Sequence, residues 1–88
     1  MDHRKLRDLI SVGPATIEDL KLLGIESVEQ LKDCNADVLY KELCLKSGIE
    51  HDICSLDVFK AAVAQAKDPR LPVEKCNWWY WSKIRKGG

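Results

Sequence analysis

The segment Ser11-Val12-Gly13-Pro14-Ala15-Thr16 has the residue types of a backbone clamp for an anion. Pro14 suits the first position of a helix, because its φ is already near the helical value and its missing N–H would have had no intrahelical acceptor. The amides that follow also lack acceptors, and the aligned peptide dipoles place partial positive charge there. Gly13 carries no Cβ, so a phosphate can approach the amides of Gly13, Ala15 and Thr16, and the Thr16 hydroxyl adds a donor. Contacts of this kind grip the nucleic-acid backbone and read no base. The predicted nucleic-acid-binding set is therefore Ser11, Val12, Gly13, Ala15, Thr16 and Lys21, the last being the nearest cation on the helix that follows. Two features oppose this reading: Ser11 and Ala15 supply no charge beside the turn, and Glu18 and Asp19 put negative charge in the first turns of the helix. Without a ligand, the same residues read as a tight connection between antiparallel helices, with Val12 as a core plug.

A second group of residues lies near the C-terminus, where Trp78-Trp79-Tyr80-Trp81 precedes Lys83, Arg85 and Lys86. Indoles stack on exposed bases while cations hold the adjoining phosphates, and in that reading Trp79, Lys83 and Arg85 are the contacts. The competing reading is structural. A terminal segment must be anchored, and large aromatics do this efficiently because each buries roughly 150 to 250 Å². Anchoring is the stronger of the two, with at least one indole left partly exposed.

Cys34, Cys44, Cys54 and Cys76 form no C-x-x-C pair, which excludes a thioredoxin-like motif and a zinc ribbon. Nothing in the N-terminal sequence resembles an export signal, so reduced thiols are expected. His51 and Cys54 stand three apart, a spacing that places two metal ligands on one helix face, with Cys44 or Cys76 as further ligands. Buried packing of free cysteine is the commoner outcome. No metal, no cofactor and no small-molecule substrate are therefore expected. With His3 and His51 as the two histidines, no nucleophile and base pair is recognisable. The expectation is a protein without catalytic activity.

Fourteen basic side chains balance fourteen acidic ones, so no net field draws the chain toward a polyanion. The charge is uneven, however: Arg4, Lys5 and Arg7 sit at one end and Lys83, Arg85 and Lys86 at the other. Convergence of the two ends in space would create a basic face. With 45% hydrophobic and 32% charged residues, the 88-residue chain is expected to fold around one core in the cytoplasm. No apolar run approaches the ~20 residues that span a bilayer.

The elements that must position these groups are helical, because apolar residues recur at three- and four-residue spacing and sustained alternation is absent. A first helix is predicted from Asp2 to Ile10. A second starts at Pro14, carries Ile17, Leu20 and Leu23, and stops at a left-handed Gly24. Ser27 and Gln30 have the spacing of a capping box and open a short third helix ending near Lys32. Asn35 caps a fourth, which carries Leu39, Leu43 and Cys44 inward and stops at Gly48. From Asp52 to Ala66, Ile53, Leu56, Phe59, Val63 and Ala66 form the stripe of a central core helix. Asp68-Pro69-Arg70-Leu71-Pro72 ends it. The fold class is thus all-α, a bundle of about five helices over residues 1–67, with an irregular tryptophan-rich tail over 68–88 packed on the same domain.

Leu9-Ile10-Ser11-Val12-Gly13-Pro14-Ala15-Thr16 resembles the hairpin consensus of helix-hairpin-helix proteins, and the helix, turn, helix pattern recurs in degenerate form, as in tandem or SAM-like arrangements. A longer resemblance joins Val12-Gly13-Pro14-Ala15-Thr16, Leu22-Leu23-Gly24-Ile25 with Ser27-Val28, the stretch 52–63 and Trp78-Trp79-Tyr80-Trp81. Together these resemble the small bacterial pathogenicity-locus proteins, also labelled mitomycin-resistance-like, over nearly the whole chain. The first half is also similar to the C-terminal domain of TfoX-type competence regulators. These resemblances imply a helical fold of DNA-binding type, with Ser11 at a hairpin position that is commonly glycine. The functional expectation is weak, sequence-independent DNA binding through hairpin amides. Its competitor is a protein-interaction domain on the same scaffold.

Overall fold

In the computed structural model, which describes residues 3–87, every regular element is helical. A 3-10 turn over Leu6–Asp8 is followed by α1 (Pro14–Leu22), α2 (Val28–Leu31), α3 (Ala36–Ser47), α4 (Cys54–Lys67), α5 (Val73–Cys76) and α6 (Trp78–Arg85). Among the described residues, no helix is long and apolar enough to cross a membrane.

The local signals act as the sequence predicts through the middle of the chain. Gly24 is left-handed (φ 81°), and the amides of Gly24 and Ile25 return to the carbonyls of Lys21 and Leu20 at 2.9 and 2.8 Å. This paired reversal satisfies the last carbonyls of α1. Ser27 Oγ accepts from the Gln30 amide while the Gln30 side chain accepts from the Ser27 amide, forming the reciprocal cap. Gly48 ends α3 in the left-handed conformation (φ 73°).

Helix α4 is the central element, packed against α2, α3, α5 and α6. Leu56, Phe59, Val63 and Ala66 are buried, and Ala61 and Ala62 extend the buried face. Ile53, expected in the same stripe, precedes the first turn as the N-cap residue and is exposed. Leu20, Val28, Leu31, Leu39 and Leu43 complete the core from α1, α2 and α3.

Two regions depart from the sequence expectation. The predicted helix from Asp2 to Ile10 is replaced by one 3-10 turn; Met1 and Asp2 lie outside the described residues. The reason is tertiary. Arg4 donates to the carbonyls of Gln65 and Ala66 at 2.7 and 3.2 Å, and the Gln65 side chain takes both the N–H and the C=O of Ile10 at 2.9 and 2.8 Å. These bonds hold the strand of chain against α4 in a path a continuous helix does not follow.

The second departure is the tail, which is helical instead of irregular. Asp68, extended before Pro69 (φ −132°, ψ 99°), turns the chain back so that α5 and α6 lie against α4. Polar groups share the anchoring with Trp81. Asp57, 0% exposed, accepts from Arg85 Nε at 3.0 Å and from Nη2 at 3.0 Å. Ser82 and Cys76 are buried, whereas Trp78 and Trp79 are 40% and 45% exposed. Trp81, half-buried, donates from Nε1 to the Lys75 carbonyl at 2.8 Å.

Arg4 meets α4 at Gln65 and Arg85 meets it at Asp57, positions that lie about 12 Å apart along the helix axis.

Candidate nucleic-acid interface

Gly13 is the residue on which the candidate site turns. It is the N-cap of α1 in an extended conformation (φ −103°, ψ −178°), and no side chain caps the helix. Its carbonyl accepts from the Ile17 amide at 3.0 Å, closing the first helical bond. Among the described residues, the amides of Gly13, Ala15 and Thr16 have no protein acceptor. Pro14 and Ala15 are exposed, Gly13 and Thr16 half-buried, and a Cβ built on Gly13 meets no atom within 4 Å. The front of the turn is therefore open to solvent, with unpaired donors at the positive end of a nine-residue helix.

The back of the turn is held tightly. Val12 is buried in the core, so of the predicted binding set it offers backbone only. Gln65 Nε2, besides its bond to Ile10, lies 3.1 Å from the Ala61 carbonyl and 3.4 Å from the Cys76 carbonyl. Ser11 is left-handed (φ 73°), a conformation that costs a residue with a Cβ about 1 to 2 kcal/mol. Its hydroxyl offsets this by donating to the Cys76 carbonyl at 3.1 Å and accepting from the Trp78 amide at 2.9 Å. Ser11 thus caps α6 from 67 residues away and ties the turn to the aromatic tail.

Cations lie to one side of the turn. Lys5, Arg7 and Lys21 line a groove of about 570 Å³ with Leu6, Ile17 and Glu26, between the N-terminal segment and α1. Gly13, Ile17 and Lys21 follow one another at four-residue spacing, so the groove continues the face that starts at the open amides. Glu18 lies 3.8 Å from Lys21 in a solvent-exposed pair that takes part of that charge.

In the tail, Trp79 and Lys83 line a second, smaller cavity of about 360 Å³ with Cys54, Trp78, Ser82 and Lys86. Arg85, grouped with them by sequence, points to Asp57 instead, and the carboxylate raises its pKa above the ordinary guanidinium value. Its charge is paired with a buried carboxylate. Sequence reasoning missed Asp57 and Gln65 as the polar supports of the site; their one signal is a polar residue within the apolar positions of the core helix.

The metal candidates are not brought together. His51 Nε2 is 2.8 Å from Ser47 Oγ, and the Tyr40 hydroxyl donates to the His51 carbonyl. Cys54 donates its amide to Asp52 at 2.9 Å. No three His, Cys, Asp or Glu side chains among the described residues form a ligand cluster. All four cysteines are free thiols. Burial pushes the Cys34 and Cys76 thiols up, and the hydrogen bond to Asp52 does the same for Cys54. Thiols raised in this way are poor nucleophiles.

Comparison with known proteins agrees with the pattern of these residues along the whole chain. The sequence profile of the pathogenicity-locus family matches residues 2–87. The mitomycin resistance protein McrB of Streptomyces lavendulae is 32% identical over 85 residues, covering 97% of this chain and 77% of that protein. No solved structure matches. A match that runs from residue 2 to residue 87, through the turn, the core helix and the aromatic tail alike, means that the chain belongs to the pathogenicity-locus family.

Proposed function

We propose that this protein is a non-enzymatic helix-hairpin-helix module of the cytoplasm that binds DNA without sequence preference. The names of the family and of its relative state no reaction and no ligand, so the site's geometry supports the reading. The observation that carries it is the set of unpaired amides at Gly13, Ala15 and Thr16 on an otherwise fully braced turn. In the bound state one phosphate sits on these amides, and neighbouring phosphates of the same strand face Lys5, Arg7 and Lys21 along the groove. With zero net charge and Glu18 beside Lys21, affinity falls in the ~10⁻⁴ to 10⁻⁶ M range of nonspecific binding.

The test is fluorescence anisotropy of labelled DNA of unrelated sequences, titrated at several salt concentrations. Binding should be indifferent to sequence and weaken with a log–log slope of roughly −3, the value for three or four phosphates. Gly13→Asp, which the open space around Gly13 accommodates, caps the amides with a carboxylate and should abolish binding while the circular dichroism melt stays unchanged. No binding at low salt, or binding that survives this substitution, overturns the proposal.

One observation favours a second reading, a protein-interaction domain. Leu45 and Ile49 are 75% and 61% exposed at the end of α3, beside a groove lined by Tyr40 and Cys44. An exposed apolar group of this kind is the usual mark of a partner surface. A stable protein complex that persists when Gly13 is substituted but dissociates with Leu45→Asp would establish it.

A further inference from the structure

We propose that the exposed face of α6 is a base-stacking platform, so that the nucleic acid held at the hairpin is a single strand; this rests on the phosphate reading of the hairpin given above. Trp78 and Trp79 expose 40% and 45% of their surface. The Trp79 side chain makes no hydrogen bond among the described residues. Its position is therefore not explained by anchoring, which Asp57, Arg85 and Ser82 carry.

The charge around the indoles suits a strand. Lys83 and Lys86 line the same cavity as Trp78 and Trp79, both are exposed, and neither has an acidic partner among the described residues. Of the acids near this face, Asp57 is neutralised by Arg85, and Asp52 accepts from the amide of Cys54 at the edge of the cavity. Trp79, Lys83 and Lys86 recur at four- and three-residue spacing, so an indole face and two ammonium groups run along one side of the helix. This combination of aromatic faces and backbone cations is what binds unpaired nucleotides.

Position links this face to the hairpin. The Trp78 amide donates to Ser11 Oγ at 2.9 Å, and Ser11 is two residues from Gly13. The Gly13 amide and the backbone at the start of α6 are therefore within about 12 Å of each other, a span that a few nucleotides of one strand cover. In a duplex the base faces are hidden by their neighbours in the stack, so the indoles have nothing to stack on; in a single strand they are available.

The experiment uses the full chain, a labelled oligothymidylate and a mixed-sequence duplex of equal length, read by anisotropy and by intrinsic tryptophan fluorescence. The single strand should bind about tenfold tighter than the duplex and quench tryptophan emission. Trp79→Ala, at an exposed position that leaves the fold intact by circular dichroism, should weaken the single strand by about tenfold and leave the duplex unchanged, with Trp79→Phe keeping most of the affinity. Gly13→Asp should weaken both. Equal affinity for the two forms, or equal loss of both in Trp79→Ala, overturns the platform and leaves the hairpin reading standing. Failure of both forms to bind at low salt overturns both readings.

Discussion

Helices α1 and α3 each start after a short turn in the N-terminal half, and their first turns are finished in opposite ways. At α3, Asn35 Oδ1 accepts from the amides of Asp37 and Val38 at 2.9 and 3.3 Å, and the helix start is closed by its own cap. At α1, Gly13 supplies no side chain, and the equivalent donors remain open. The bracing is reversed as well. The α3 turn is shaped by local bonds, whereas the turn before α1 is held from behind by Gln65 on α4 and by Ser11 reaching the tail. A turn that serves only to connect helices is stabilised most simply by capping itself. One that must present its amides has to be fixed by groups elsewhere.

The largest effect expected from this contrast is at Gln65. Gln65→Ala removes bonds to the Ile10 N–H and C=O and to the Ala61 and Cys76 carbonyls. The two hydrogens of Nε2 are shared among three carbonyls, so with the bond to Oε1 about three full bonds are lost; at about 1 kcal/mol per bond the loss should approach 3 kcal/mol in urea denaturation, and nucleic-acid binding should fall with it because the turn loses its frame. A loss below about 1 kcal/mol would mean that Val12 packing alone positions the turn.

Ser11 gives the next largest effect and separates strain from bonding. Ser11→Ala keeps a Cβ in the left-handed conformation and loses both hydroxyl bonds, for an expected cost of about 2 kcal/mol. Ser11→Gly loses the same bonds but relieves about 1 kcal/mol of strain, so it should unfold at a higher denaturant concentration than the alanine variant. Equal midpoints would remove strain from the account of this turn.

These positions also mark where the sequence was legible. Gly24, the Ser27–Gln30 box, Asn35 and Gly48 act through bonds that close within a few residues, so each is visible as a local pattern. The buried face of α4 is legible for the same reason, since Leu56, Phe59, Val63 and Ala66 repeat at helical spacing. The Gly13-Pro14 start of α1 was readable too. What was not legible depends on partners far along the chain. Gln65 stops the N-terminal segment from forming a helix across a separation of 55 residues, and Arg85 is drawn to Asp57 across 28. The tail read as irregular because of its two prolines, yet Pro69 and Pro72 only shape the reversal that lays two helices on α4. Within the candidate site, Arg85, grouped with Lys83 and Lys86 by sequence, pairs with Asp57 in the fold, while Trp78, Trp79, Lys83 and Lys86, all visible in the sequence as indoles and cations of one segment, share a cavity beside α6.

A smaller change should touch the closed turn alone. Asn35→Ala leaves the first amides of α3 without their acceptor and should cost about 1 kcal/mol in denaturation. DNA binding at α1 should be unaffected. A parallel drop in binding would mean that the two helix starts are coupled through the core they share.

The smallest change in stability comes from making the open turn like the closed one. Gly13 and Asn35 have similar φ values, −103° and −112°, and a Cβ at Gly13 meets nothing within 4 Å. Gly13→Asn should therefore fold normally, and its side-chain oxygen should accept from the Ala15 and Thr16 amides much as Asn35 serves Asp37 and Val38. The expected gain is a few tenths of a kcal/mol, because glycine is already a tolerable N-cap. Binding should move far more than stability, since a phosphate would now compete with an internal acceptor for the same donors. A variant that is slightly more stable and binds DNA at least tenfold more weakly would show that the amides are the site, because the substitution leaves the charge unchanged. If instead it binds as well as the parent, the groove of Lys5, Arg7 and Lys21 holds the nucleic acid by charge alone, and the open cap of α1 is only a turn.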